Sequence, residues 1–70
     1  MKGSNCMTVT IAVERNAAIE VTCEWERNCY HARVYENWGG EWHQTHESNP
    51  YSIKEDAMKS YKRFVKRYIK

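Results

Sequence analysis

The stretch SIKEDAMKSYKRFVKRYIK, residues 52–70, decides the fold. Its apolar residues fall at Ile53, Ala57, Tyr61, Phe64, Val65 and Tyr68. That spacing keeps them on one face of a helix with 3.6 residues per turn. The opposite face carries Lys54, Lys59, Lys62, Arg63, Lys66, Arg67 and Lys70. Ser52 and Glu55 form an S-x-x-E pair, in which a serine hydroxyl accepts from a free backbone N–H and the glutamate reaches back to the cap amide. Pro50 stands just ahead, where the chain is still extended. The pattern predicts one amphipathic helix that must lay its apolar side on something.

That something lies upstream. Residues 7–14 alternate, with Met7, Val9, Ile11 and Val13 on one side and Thr8, Thr10 and Ala12 on the other. β-branched residues at period two read as a strand with one buried face. Arg15-Asn16-Ala17 makes a turn, with Asn16 suited to a left-handed conformation. Residues 18–25 alternate again, Ile19, Val21, Cys23 and Trp25 against Glu20, Thr22 and Glu24. Pairing Val13 with Ile19 puts Ile11 opposite Val21 and Val9 opposite Cys23. Arg27-Asn28 is the next turn, which sets Trp25 opposite Tyr30, Cys23 opposite Ala32 and Val21 opposite Val34. The other face then pairs Glu24 with His31, Thr22 with Arg33 and Glu20 with Tyr35. Gly39-Gly40 is the strongest turn signal, and a fourth strand follows over residues 41–46. A two-residue turn there sets Asn37 opposite Trp42. A three-residue turn sets Trp38 opposite Trp42, and the larger aromatic burial favours it. The expected architecture is α+β: a four-stranded antiparallel meander with one C-terminal helix across one face, ββββα. Residues 1–6 read as a leader and residues 7–70 as a single domain.

Seventy residues bury only about 60% of the surface of the unfolded chain. A deep catalytic cleft would consume scarce core, so a non-enzymatic role is expected. Nothing approaches the roughly 20 apolar residues of a membrane span, and no secretory leader is visible. Cys6, Cys23 and Cys29 are an odd number, which suits free thiols in a reducing compartment. A cytoplasmic protein is expected.

Charge is unevenly divided. Residues 52–70 hold seven Lys/Arg and two acids, and residues 1–51 hold four Lys/Arg and seven acids. One layer is therefore basic and the other acidic. Lys59, Lys62, Arg63, Lys66 and Arg67 form a candidate phosphate-binding stripe. The same stripe also keeps a small domain soluble and complements the helix dipole. Glu20, Glu24, His31, Arg33, Tyr35 and His43 are assigned to the free sheet face. Four of Cys23, Cys29, His31, His43 and His46 would suffice for a tetrahedral zinc site. The C-x5-C interval is wider than a zinc knuckle, and Cys23 points inward while His31 points outward, so no metal or other cofactor is expected. Cys29 with His31 is a possible nucleophile pair without an orienting third group. Trp25, Tyr30, Tyr61 and Tyr68 fit the core; Tyr35, Trp38 and Tyr51 fit an interface. The two edge strands allow a homodimer by edge pairing, so a monomer or an edge-strand dimer is expected.

Residues 30–65, a hairpin followed by Ser52-Ile53-Lys54-Glu55-Asp56-Ala57 and then Tyr61 and Phe64, resemble the sheet-plus-helix domains of the AP2 and integrase arm-binding type. That resemblance implies a sheet face that enters the DNA major groove. In overall build the chain also resembles small phage-encoded regulators and anti-defence proteins, such as anti-CRISPR proteins. This second resemblance implies a protein that blocks a complex in a host cytoplasm by steric or electrostatic docking. The functional expectation is a binding protein whose partner is a protein, or a protein–nucleic acid complex. The alternative is a nucleic-acid module that grips phosphates through the basic helix.

Overall fold

The computed structural model describes residues 7–69. Four strands come first: β1 (Thr8–Arg15), β2 (Ile19–Glu26), β3 (Cys29–Trp38) and β4 (Glu41–Glu47), followed by α1 (Lys54–Tyr68). The strands form one antiparallel sheet in the order β1-β2-β3-β4, and α1 packs on β2 and β3. The ββββα meander read from the alternation is the observed fold.

The β2–β3 register agrees with the expected one at every pair, from Glu20 opposite Tyr35 to Trp25 opposite Tyr30. Arg27 and Asn28 occupy the turn with φ of 55° and 66°. Two successive left-handed residues match the right-handed twist of the flanking strands. The core follows from that register: Val21 and Cys23 from β2, Ala32 and Val34 from β3, Ala57 and Tyr61 from α1. Phe64, Val65 and Tyr68 pack against its margin, so the apolar stripe of the helix faces the sheet. Burial pushes the Tyr61 phenol above its ordinary value, with the charge of Glu14 adding to it.

Both edges depart from the expected registers. In β1 the pairing shifts between Thr10 and Ala12, leaving Ile11 as an extra residue. Arg15 pairs with Glu20, Val13 with Thr22 and Ala12 with Cys23, whereas Val9 pairs with Trp25. Val9 therefore lies on the helix side as expected, but Val13 is on the open side. The turn sets this. Asn16 Oδ1 accepts from the backbone N–H of Ala18 and of Ile19, both at 2.9 Å, which closes a loop one residue longer than expected. Asn16 itself is not left-handed; its side chain organises the turn instead. The helix gives the expected register little support, because α1 rests mainly on β2 and β3, and of the apolar residues of β1 it is Ala12 that packs against the core. Val9, Ile11 and Val13 remain exposed along this edge.

At the other edge Gly39 and Gly40, at φ 62° and 97°, make a two-residue turn with Trp38 opposite Glu41 and Asn37 opposite Trp42. The indoles do not face each other. Asn37 Oδ1 accepts from Gly40 N–H at 2.8 Å, and that contact favours the tight turn over the larger aromatic burial. A second irregularity between Val34 and Tyr35 leaves Thr45 extra in β4. Bulges on edge strands twist the edge and hinder pairing with another chain.

The path from β4 to α1 fixes where the helix lands. Ser48 N–H donates to Ala32 O at 2.8 Å, and Tyr30 and Tyr51 exchange backbone bonds at 2.7 and 2.8 Å. Tyr51 OH then meets Ser60 Oγ at 3.0 Å. The expected capping box does not form. The cap position is Ile53, with no side-chain cap bond, and Ile53 is exposed rather than part of the apolar stripe. Because Tyr51 is held on the β3 edge, the helix begins after Ile53, and Ser52 lies outside it.

Candidate functional site

The Cα trace is a slab of 35 × 30 × 16 Å. It is one sheet and one helix thick, so each layer presents an outer surface. On the open side of the sheet the register gathers Arg15, Glu20, Thr22, Glu24, Glu26, Cys29, His31, Arg33, Tyr35, Trp42 and Glu47. Four carboxylates stand against two guanidiniums there.

Arg33 is the centre of this face. Its Nη1 donates to Glu24 Oε1 at 2.6 Å, its Nη2 to Glu26 Oε1 at 2.9 Å and its Nε to Glu47 Oε2 at 2.7 Å. One planar fork thus spans carboxylates from β2 and β4. Thr22 Oγ1 and Tyr35 OH donate to the other oxygen of Glu24, at 2.9 and 3.1 Å. Thr22 is 2% exposed and Glu24 6%, although among the described residues no further layer covers this side. The long side chains of Arg33 and Tyr35 form the cover. Partial burial alone would pull the Arg33 guanidinium down, but its bonds to Glu26, Glu47 and Glu24 outweigh that and hold it above its ordinary value. The bond from Arg33 holds Glu26 below the usual carboxylate value. Burial, and then the charge of Glu24, push the Tyr35 phenol up.

Of the sheet residues singled out by the sequence, Glu24, Arg33 and Tyr35 are joined in this network. Glu20 lies on the same face opposite Tyr35. His31 sits at its margin, with Nδ1 3.8 Å from Glu47 Oε2 and no hydrogen bond to it. His43 is not on this face; it pairs with Glu36 on the helix side. The sequence reading missed Glu26, Glu47 and Trp42 here. Glu26 was legible, since it continues the alternation of Glu20 and Glu24. Glu47 was missed because the expected fourth strand stopped at residue 46; the favoured register, Trp38 opposite Trp42, continues to Glu47 opposite Arg33, the pairing observed.

An open depression of about 240 Å³ beside the network is lined by Glu26, Arg27, Cys29, His31 and Arg33. Cys29 and His31 share it, but Glu26 and Arg33 already serve one another. The histidines and cysteines weighed for zinc are dispersed. Cys23 is in the core, with burial pushing its thiol above the ordinary value. Cys29 and His31 are on the open side, and His43 and His46 on the other. Among the described residues no three of His, Cys, Asp or Glu are placed to hold a metal.

On the outer side of α1, Lys59, Lys62, Arg63, Lys66 and Arg67 are all exposed. Among the described residues none of the five has a carboxylate within ion-pair distance. Arg67 lies over the Tyr68 ring, 5.7 Å from its centroid. Among the described residues no helix is long and apolar enough to cross a membrane. No family model, curated protein or solved structure matches the chain.

Proposed function

We propose that this protein is a non-enzymatic docking module, a regulator or inhibitor of the phage or mobile-element type. Its partner is a protein, or a protein–nucleic acid complex, met across the open sheet face. One observation carries this reading: the polar groups that chemistry would need on that face are bound to one another. Arg33 is held by three carboxylates, and Glu24 is held by Thr22 and Tyr35 as well. Such a cluster is pre-ordered, so a partner orders little on binding. It carries a surplus of negative charge, which steers and orients a basic partner surface. Trp42 at one border and Val13 at the other are exposed and supply apolar anchors.

The test is affinity capture with the protein and two charge variants. A stoichiometric partner retained by the native protein should be lost with Glu20→Lys/Trp42→Ala. It should be kept with Lys59→Glu/Lys62→Glu. The opposite pattern would transfer the docking site to the helix.

A second reading is favoured by five cations of α1 that have no carboxylate at ion-pair distance among the described residues. They are suited to phosphates, with counterion release giving steeply salt-dependent affinity.

A further inference from the structure

Beside those cations, on the helix side of β4, lies a row of rings. Trp38 and His43 are stacked, with centroids 4.4 Å apart and planes at 26°. Three residues along the strand, His46 meets Tyr68 at 4.8 Å and 35°. Phe64 closes on Tyr68 edge-on at 6.0 Å. Trp38 is 56% exposed, and His46 is exposed as well. The row therefore runs from the Gly39-Gly40 turn to the end of α1 with ring surface open to solvent.

Neighbouring groups give the row a polarity. At the turn end Trp38 Nε1–H donates to Glu36 Oε1 at 3.2 Å, and His43 Nε2 is 3.4 Å from Glu41 Oε1. At the helix end Arg67 lies over Tyr68. Arg63 is one turn before Arg67 on the same flank, the flank on which Ser60 meets Tyr51. Cations therefore border the row at the helix, and acceptors border it at the turn.

We propose that this row binds single-stranded nucleic acid, with bases on Trp38 and His46 and phosphates on Arg63 and Arg67. The inference rests on the second reading above and narrows it. Stacking on exposed rings needs bases that are not already paired, which a duplex does not offer. A cationic track beside stacking rings is the arrangement that binds single strands without reading sequence. The cations at the helix end of the row favour a polyanion over an apolar peptide, and separate exposed rings suit single bases. His46 lies on this side because Thr45 is extra in β4, so the bulge has a consequence here beyond guarding an edge.

The experiment titrates the full chain with oligothymidylate and with a DNA duplex of equal length, reading tryptophan fluorescence and anisotropy at two salt concentrations. The expected result is quenching by the single strand and at least tenfold weaker binding of the duplex. Trp38→Ala, at an exposed position, should keep the native circular dichroism and lose roughly 5- to 160-fold in affinity, the range of one stacked base. Arg63→Glu/Arg67→Glu should weaken binding and flatten its salt dependence. Equal binding of duplex and single strand, with Trp38→Ala unchanged, overturns the stacking row and leaves the phosphate reading standing. Absence of binding by either nucleic acid at low salt overturns both, and leaves the protein-docking reading to the capture experiment.

Discussion

The two sides of β2 and β3 are hidden by different means. On one side Val21, Cys23, Ala32 and Val34 lie beneath the helix and are fully buried. On the other, Thr22 and Glu24 are nearly as inaccessible beneath a single arginine and a tyrosine. The first side is stabilised by apolar area removed from water, which tolerates changes of shape if volume is kept. The second depends on each charge keeping its partner. A buried carboxylate left alone is costly, while an apolar replacement of the whole pair is often neutral or better. Equal burial therefore does not mean equal contribution, and substitutions on the two sides should separate them.

The largest effect is expected under the helix. Tyr61→Ala removes the biggest fully engaged side chain of the core and should cost about 3–4 kcal/mol. For a domain this small that is a large share of its stability, so the variant should show the largest fall in urea midpoint, read by circular dichroism. Next comes Arg33→Met on the open face, which strands Glu24. Partial exposure of Arg33 reduces the penalty below that of a fully buried pair, to about 2–3 kcal/mol, read as a lower urea midpoint. The double variant Arg33→Met/Glu24→Met should recover most of the loss. Additive losses instead of recovery would break the distinction between the two sides.

Acid gives a third discriminator. Arg33 holds Glu26 below the ordinary value of 4.5. A carboxylate depressed in the folded state stabilises fully above its unfolded value, and the contribution is lost as pH falls through the folded value. Urea midpoints of the native protein should hold steady above pH 4.5 and drop below it, with a shallower drop for Arg33→Met. Parallel acid profiles would assign the acid sensitivity to other carboxylates. The smallest effect should come from Thr22→Val. It removes one hydroxyl donor to Glu24 and adds a methyl group where none is needed. A loss of about 1 kcal/mol is expected, and no loss would mean that Arg33 and Tyr35 alone satisfy Glu24.

Much of the open sheet face could be read from the chain. Glu24, Arg33 and Tyr35 follow from the Arg27-Asn28 turn and strict alternation, and the register between β2 and β3 confirms each pair. Their contact is not written in the alternation, because pairing by register gives neighbours across strands, not which of several carboxylates an arginine takes. Trp42 and His43 changed sides for one reason, a turn one residue tighter than expected, and the extra residue Thr45 then returns His46 and Glu47 to the pairing that the wider turn would have given. A strand's faces invert with every one-residue slip, so errors at edges are large in consequence though small in length. The same holds for Val13.

By itself the sequence determined the elements, their order, the central register and the opposed charge of the two layers. These depend on neighbours in the chain: spacing of apolar residues, paired left-handed turn residues, blocks of like charge. The tertiary structure alone decided where the helix comes to rest, which bulges the edges take, and how Arg33 divides itself among three carboxylates. Those outcomes depend on groups far apart in the chain competing for the same partner. Tyr51 bound to Tyr30 and Ser60 steers the helix over β2 and β3, and β1 is left to take its register from the hydrogen bonds of Asn16.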